Sequence, residues 1–219
     1  MSGRSFLVAV ILFALNLSAR ADDTNWTPLK LKLPSPVFSG TPKQAPQGVS
    51  VEPLSTNPPV IMAPPDVRNL APKSKITSSD KNAGPELLAK ITDGDKSADE
   101  DSVALLNKGL QWVQFDLGRP RELFAIAVWH AHDTAKIYRD VIVQVADDED
   151  FTDNVRTLFN NDADNSSGLG VGTNRQYFET FQGKLVAAKG VRARYVRLYS
   201  HGSTDSPMNE YTEVEIYGR

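Results

Sequence analysis

Short segments of alternating apolar and polar residues follow one another from Lys73 to the end of the chain. In QWVQFDLG (residues 111–118) the side chains of Val113, Phe115 and Leu117 share one face. Successive side chains of a strand point to opposite faces, so this period of two predicts an all-β domain of the sandwich type. Further segments of strand length follow between turn residues: ELFAIAVWH (122–130), DVIVQVA (140–146), RQYFETF (175–181), RARYVRLYS (192–200) and TEVEIYG (212–218).

The segment before these strands differs in composition. Eleven of the fourteen prolines lie between Asp22 and Pro72, with no sustained period of 2 or 3.6. Proline has a fixed φ and no backbone donor, so such a segment does not form strand ladders. We therefore predict that residues 22–68 form an extended tether, mostly without regular structure. Apolar residues such as Trp26 and Phe38 leave open whether part of the tether docks on the following domain.

Residues 1–21 have the layout of a secretory signal peptide. Arg4 precedes an apolar run from Phe6 to Leu17, and Ala19 and Ala21 fit the small-x-small cleavage pattern. The run is shorter than the roughly 20 residues that span a bilayer, and an uncleaved membrane anchor is the alternative. We expect cleavage near Ala21 and an extracytoplasmic protein, periplasmic or secreted, with no membrane span after cleavage.

Several classes of function find no support in the composition. The net charge is −3, so no basic surface for nucleic acid is expected. The chain has no cysteine, so neither a disulfide nor a lipid-modified cysteine contributes. It contains no Gly-x-Ser-x-Gly, His-Glu-x-x-His or P-loop motif, and we predict that it is not an enzyme.

An ordered set of motifs adds a family resemblance to this reading. The motifs are NLAPKSKITSS (69–79), ITDGDKSADED (91–101), WVQFDLG (112–118), VIVQVADDEDF (141–151), ARYVRLYS (193–200) and YTEVEIYG (211–218). Together they resemble the discoidin, or coagulation factor 5/8 type C, domain family, which has a galactose-binding-like jelly-roll sandwich. The resemblance covers residues 69–219 and extends to exported bacterial proteins with carbohydrate-binding-module-like domains. It implies a binding module for carbohydrate or a glycoconjugate. The alternatives are a protein-binding or cell-surface adhesion module and an accessory subunit of a separate hydrolase.

The resemblance also implies one structural calcium ion. The side chains of Asp93 and Asp95 would supply oxygens, and Glu213 would arrive from the last strand. Lys90, Ala98 and Thr212 would add backbone carbonyls. Ala98 stands where the family carries a threonine, which removes one hydroxyl ligand.

The acidic loop itself is compatible with this expectation. Five carboxylates fall within the nine positions from Asp93 to Asp101, and Asp93 and Asp95 flank Gly94. Calcium takes six to eight oxygen ligands from a loop able to wrap it, and a cation would offset the repulsion between these carboxylates. The alternative is a solvated acidic turn without an ion, and we expect Asp99, Glu100 and Asp101 to be solvated.

Ligand contacts in carbohydrate-binding relatives lie on loops at one end of the sandwich. The residues that fall near such loops here are His132, Tyr138, Arg139, Asn209 and Tyr211, with Lys136 beside them. His130 and His132 also form a His-x-His pair, for which a hydrogen-bonded strand end is preferred over a transition-metal site. The loop 160–172 is rich in Asn, Asp and Gly; an ordered loop is the default, and a second calcium loop or a ligand loop is the alternative.

Three arginines of the late strands, Arg192, Arg194 and Arg197, have a simple expected role. We predict that they neutralise Glu213 and Glu215 across paired strands rather than bind an anion.

Overall fold

The computed structural model describes residues 25–37 and 49–219. The predicted signal peptide lies outside the described residues. Within these ranges, one α-helix, α1 (Pro85–Ala89), and the 3-10 turns Ala71–Lys73 and Lys90–Thr92 accompany the strands. The strands are β1 (Thr27–Pro28), β2 (Met62–Ala63), β3 (Arg68–Asn69), β4 (Lys75–Ser78), β5 (Ala104–Leu106), β6 (Gln111–His130), β7 (Ile142–Ala146), β8 (Arg156–Asn160), β9 (Lys184–Ser200) and β10 (Asn209–Gly218).

Two long strands create the two layers of an antiparallel sandwich, as the alternation predicted. β6 and β9 pair from Gln111↔Ser200 to Asp116↔Tyr195, and resume after a register shift at Arg121↔Ala193. Before the shift β6 also pairs with β4, and β9 pairs with β7, which in turn pairs with β8. Beyond it β6 pairs with β10, which carries β3 and β5. A bulge of this kind bends both strands, so each contributes to both layers.

The core lies between the layers and is built from the predicted alternating residues. Val113 and Phe115 of β6, Val143 and Val145 of β7, and Ile216 of β10 are all fully buried. Truncating one of these side chains, for example Phe115→Ala, is expected to cost about 3–5 kcal/mol because a cavity remains.

The predicted pairing of the arginines with Glu213 and Glu215 is wrong. β9 pairs with β6 and β7, whereas β10 pairs with the other edge of β6, so the two sets are not neighbours. Arg194 instead donates two hydrogen bonds of 2.8 Å to Asp116 on the adjacent strand. Glu215 is paired at 2.8 Å with the buried ammonium group of Lys96.

The described parts of the Pro-rich segment contact the sandwich. β1 pairs with β2, and Trp26 packs edge-on against Phe124 of β6 with ring centroids 5.5 Å apart. Further along, Val51 forms a parallel bridge with Gln176. The extent of the tether and the domain boundary at residue 69 stay predictions.

One end of the sandwich gathers the long loops. β6 begins and ends there, because Gln111 pairs with Ser200 and His130 pairs with Tyr211. Three loops leave this end, over residues 131–141, 161–183 and 201–208. None of the helices in the described ranges has the length and apolar character that crossing a bilayer requires.

Candidate ligand-binding cleft and acidic loop

A cleft of about 800 Å³ opens between the three loops at this end. Its walls come from Ile137, Arg139 and Asp140 after β6, from parts of the segment 161–176 after β8, and from His201 and Thr204 after β9. Val49 and Ser50 of the Pro-rich segment complete the rim. The lining side chains are mostly polar: Ser50, Arg139, Asp140, Asn161, Asp164, Ser166, Thr173, Asn174, Arg175, Gln176, His201 and Thr204.

The loop on one side of the cleft, residues 160–176, is named the cleft loop below. Its conformation is fixed by asparagine side chains. Asn160 donates to the Gly170 carbonyl at 2.9 Å, and its own backbone N–H donates to Asn174 Oδ1 at 2.8 Å. The Oδ1 atom of Asn161 accepts from the Val141 N–H at 2.8 Å and joins the loop to the start of β7. Gly172 approaches so closely that a Cβ there would lie 2.5 Å from the Asn160 carbonyl oxygen. The sequence interpretation as an ordered loop agrees with these contacts.

Three carboxylates meet beside the cleft. Oxygens of Asp140, Asp162 and Asp164 lie within 4.8 Å of one another. Protein donors satisfy them: the Ser166 hydroxyl donates to Asp140 at 2.9 Å, and the Ser166 N–H lies 3.1 Å from both Asp162 and Asp164. Nδ1 of His201 lies 2.9 Å from Asp140 Oδ2.

The surroundings of Asp162 favour its ionised form. Burial acts to raise the pKa of Asp162, but hydrogen bonds from the Ser167 hydroxyl and N–H outweigh it and lower the pKa below its usual range. A carboxylate that accepts several hydrogen bonds keeps its charge without needing a cation.

Four of the five sequence-predicted ligand residues occupy buried positions. Tyr138, Asn209 and Tyr211 are fully buried, and His132 is 1% exposed. Asn209 accepts from the Gly202 N–H and donates to the carbonyls of Asn107 and Gly109, so it holds the loops together. Only Arg139 among the five is exposed and lines the cleft.

The remaining buried ligand candidates have partners inside the protein. The Tyr138 hydroxyl donates to Glu210 at 2.6 Å, and the Tyr211 hydroxyl accepts from Ser200 at 3.0 Å. β10 is buried along its whole length except at Glu210, so Tyr211 is buried as well, a placement that proximity to a loop does not reveal. The cleft is lined instead by Asn174, Arg175 and Thr204. In the sequence nothing marks these residues as ligand contacts, apart from their position in turn-rich segments.

The two histidines of the His-x-His pair have separate surroundings. His130 stacks on Tyr138 at 4.3 Å and faces Glu179 through Nδ1 at 2.9 Å. Nε2 of His132 lies 2.9 Å from the Lys96 carbonyl oxygen. Their bonded nitrogens face different groups, as in the hydrogen-bonded strand end that the sequence favoured.

The acidic loop, residues 90–101, lies against the last strand. The Gly94 N–H donates to Glu213 Oε2 at 3.0 Å, which brings the 93–95 turn to β10. Asp93 and Asp95 are exposed, and their carboxylates accept the N–H groups of Asp95 and Ser97. In the described ranges these two carboxylates and Glu213 do not form a cluster like that of the cleft loop.

Glu213 is in an unusual environment for a carboxylate. The residue is 1% exposed, and burial, together with repulsion from Glu215 and Asp93, raises its pKa to about 8 even though the Gly94 N–H and Lys96 favour the charged form. The adjacent Thr212 Oγ1 is buried and has no hydrogen-bond partner among the described residues. Ala98 has a positive φ of 62°. A buried carboxyl group joined to the acidic loop through the Gly94 N–H can supply an oxygen ligand to a hard cation such as calcium.

No family model matches the chain, and no curated protein matches it either. Solved structures do. A family 89 glycoside hydrolase from Clostridium perfringens matches 69% of this chain at 17% identity with a TM-score of 0.50. The chain has the discoidin-like fold. The aligned region is 14% of the length of that hydrolase, and a likeness at this identity describes the fold alone.

Two smaller proteins align over nearly their whole length. A fucose-binding module from Streptococcus pneumoniae covers 68% of this chain and 97% of its own at 16% identity, with a TM-score of 0.46. A chitosan-binding module from a Paenibacillus sp. IK-5 chitosanase/glucanase covers 68% and 98% at 19% identity, with a TM-score of 0.47.

Proposed function

We propose that this discoidin-like protein is a non-catalytic carbohydrate-binding module that holds a glycan in the cleft. The observation that carries the proposal is the cleft itself, about 800 Å³ in volume and lined by amides, hydroxyls and guanidinium groups at the loop end of a rigid sandwich. Each sugar hydroxyl both donates and accepts, so planar amides and guanidinium groups fixed by a scaffold are suited to it.

The exposed groups of the cleft are the expected sugar contacts. Arg139, Asn174, Arg175 and Thr204 are exposed and lie on three different loops. No Phe, Tyr or Trp side chain is among the residues that line the cleft. Binding would therefore depend on hydrogen bonds, with little stacking on a sugar face.

The state of the carboxylates supports binding without catalysis. A glycosidase pairs carboxyl groups about 5–9 Å apart and keeps one of them protonated by a raised pKa. Here Asp140, Asp162 and Asp164 cluster within 4.8 Å, and the pKa of Asp162 is lowered. A lowered pKa makes Asp162 unsuited to the role of general acid.

A structural calcium ion in the acidic loop is part of the proposal. The carboxylates of Asp93, Asp95 and Glu213 and the carbonyls of Lys90, Ala98 and Thr212 would hold it. The ion would supply the positive charge that lets buried Glu213 ionise, and it would join the loop to β10. Support comes from the contact between Gly94 and Glu213 and from the burial of the Glu213 carboxyl group without a full set of donors.

Export is the setting that we propose for this function. Support comes from the sequence of residues 1–21, with its short apolar run and its Ala-x-Ala end.

The test is a binding panel on residues 22–219 with oligosaccharides of galactose, fucose, glucosamine, N-acetylglucosamine and mannuronic acid. We expect the wild type to bind one sugar class and Arg175→Ala to weaken that binding at least fivefold. The matched control is Arg119→Ala, an exposed arginine beside the β6 bend at the opposite end of the sandwich. Equal binding by both variants, or no binding by the wild type, would contradict the proposed site.

A second candidate is a protein-binding module. The described part of the Pro-rich segment exposes five large apolar side chains: Val37 is 51% exposed, Val49 37%, Leu54 54%, Val60 65% and Met62 45%. Apolar side chains exposed close together mark sites of protein contact. A negative sugar panel, with binding to a partner protein that Val60→Ser abolishes, would favour this candidate.

A further inference from the structure

The Pro-rich segment contacts the sandwich at the rim of the cleft. Ser50–Glu52 runs parallel to residues 175–177: the Gln176 N–H donates to the Ser50 carbonyl at 3.0 Å, and the Glu52 N–H donates to the Gln176 carbonyl at 2.8 Å. Residues 49–56 are called the strap below. The cleft loop thus gains a short added strand from a part of the chain more than 100 residues away.

An ion pair fixes the strap next to this backbone pairing. The Lys184 ammonium group lies 2.5 and 2.7 Å from the two Glu52 carboxylate oxygens. It also lies over the rings of Tyr177 and Phe159, at 4.8 and 5.0 Å. The faces of aromatic rings attract an ammonium group. The Lys184 side chain therefore has a defined position when it pairs with Glu52.

The strap is also connected to the wall of the cleft. The Gln176 amide, whose backbone holds the strap, donates to the Asn161 carbonyl at 3.0 Å. Asn161 in turn accepts from Val141, and both Asn161 and Gln176 line the cleft. The strap is the other partner of this backbone pairing, and its residues Val49 and Ser50 line the same cleft. Undocking the strap would therefore remove one side of the cleft.

We infer that the strap is a fixed wall of the ligand site and a determinant of its affinity, and this inference rests on the proposed function. The binding unit then extends across the predicted boundary between tether and domain. It consists of the sandwich and residues 49–56 together. The tether is more than a spacer in this account, because two of its residues face the bound glycan.

The docked geometry can be tested without any sugar. The chain has no cysteine, so Ser50→Cys with Ala163→Cys places two spin labels on exposed residues of opposite cleft walls. Ala163→Cys with Ala187→Cys is the reference pair on the cleft loop and β9. We expect the strap pair to give one distance population as narrow as the reference. A broad distribution would overturn the inference.

The effect of the strap on sugar affinity can be tested through the ion pair between Glu52 and Lys184. In full-length residues 22–219, Glu52→Lys is expected to broaden the strap distance and to raise the dissociation constant for the bound panel sugar roughly five- to tenfold. Adding Lys184→Glu restores the opposite charges and should restore both readouts. Glu86→Lys, an exposed change on α1, is the control and should alter neither.

The outcomes separate the strap from the proposed function. A strap that is released in Glu52→Lys without any loss of sugar affinity would overturn the wall assignment and leave the carbohydrate function standing. A wild type that binds no panel sugar would contradict the carbohydrate function, and the label distances would then decide whether the strap is a fixed part of the cleft.

Discussion

The cleft loop and the acidic loop both concentrate carboxylates, and the protein treats them differently. In the cleft loop, Ser166, Ser167 and His201 lie within hydrogen-bond distance of the three aspartates, and the pKa of Asp162 is lowered. In the acidic loop Asp93 and Asp95 are exposed and accept local backbone N–H groups, while the nearby Glu213 is buried with a pKa raised to about 8. The tighter cluster is thus the one whose carboxylates already have hydrogen-bond donors from the protein.

The difference shows that proximity of carboxylates is a poor guide to a cation site. What matters is whether hydrogen-bond donors compensate the charge that burial makes costly. Glu213 has one backbone donor and the nearby Lys96, and Lys96 is paired with Glu215. We therefore place the proposed calcium at Glu213 and none at the cleft loop.

Calcium should produce the largest effect of all. If calcium binds only the folded protein, a concentration of 100 times the dissociation constant stabilises it by about 2.7 kcal/mol. We expect the wild type to show a corresponding rise in melting temperature, and Glu213→Gln to lose it. Asp164→Asn in the cleft loop is the control and should keep the full response. If Asp164→Asn lost the calcium response and Glu213→Gln kept it, the ion would belong to the cleft loop and the proposed site at Glu213 would be contradicted.

The pH dependence without calcium should be somewhat smaller. The folded-state pKa of Glu213, about 8, lies above the unfolded value, so the folded protein holds an extra proton between about pH 4.5 and 8. This contribution to stability is present at low pH and is lost as the pH rises through 8. Denaturant titrations in EDTA should show the wild type losing roughly 1–3 kcal/mol relative to Glu213→Gln over that window. If the stability of the wild type and that of Glu213→Gln changed in parallel with pH, the raised pKa of Glu213 would be contradicted.

Ser167→Ala should have a moderate effect on the cleft loop. The hydroxyl donates to Asp162 and accepts from the Leu169 N–H, so its removal is expected to cost about 1–2 kcal/mol. The pKa of Asp162 should rise, because the variant loses the Ser167 hydroxyl, whose hydrogen bond lowers that pKa more than any other contact. The stability difference should shrink as the pH falls through the folded-state pKa, where Asp162 is protonated in both proteins. Carboxyl NMR titration would detect the shift, and an unchanged Asp162 pKa would contradict the donor argument.

Asp95→Asn should have the smallest effect in calcium-free buffer. Asp95 is exposed, and the Ser97 hydrogen bonds that lower its pKa are local to the turn. We expect a stability change within about 0.5 kcal/mol by denaturant titration. The same variant should reduce the calcium-induced rise in melting temperature, and an undiminished rise would remove Asp95 from the proposed ligand set.

Much of the fold could be predicted from sequence because its signal is local. Val113, Phe115 and Leu117 face the core as their alternation required. The cleft could not be predicted in the same way. Its walls depend on contacts between distant residues, such as Ser50 with Gln176, and neither partner carries a recognisable spacing. Tyr211 shows the reverse problem, since its position near a loop suggested exposure while its strand buries it.

The most direct test of the account is an amide chemical-shift titration of residues 22–219 in calcium with the panel sugars. We expect one sugar class to shift the amides of Arg139, Asn174, Arg175 and Thr204, and also that of Ser50 in the strap. Amides near Arg119 at the opposite end should stay unchanged. Shifts confined to a surface away from the cleft would contradict the carbohydrate site proposed here.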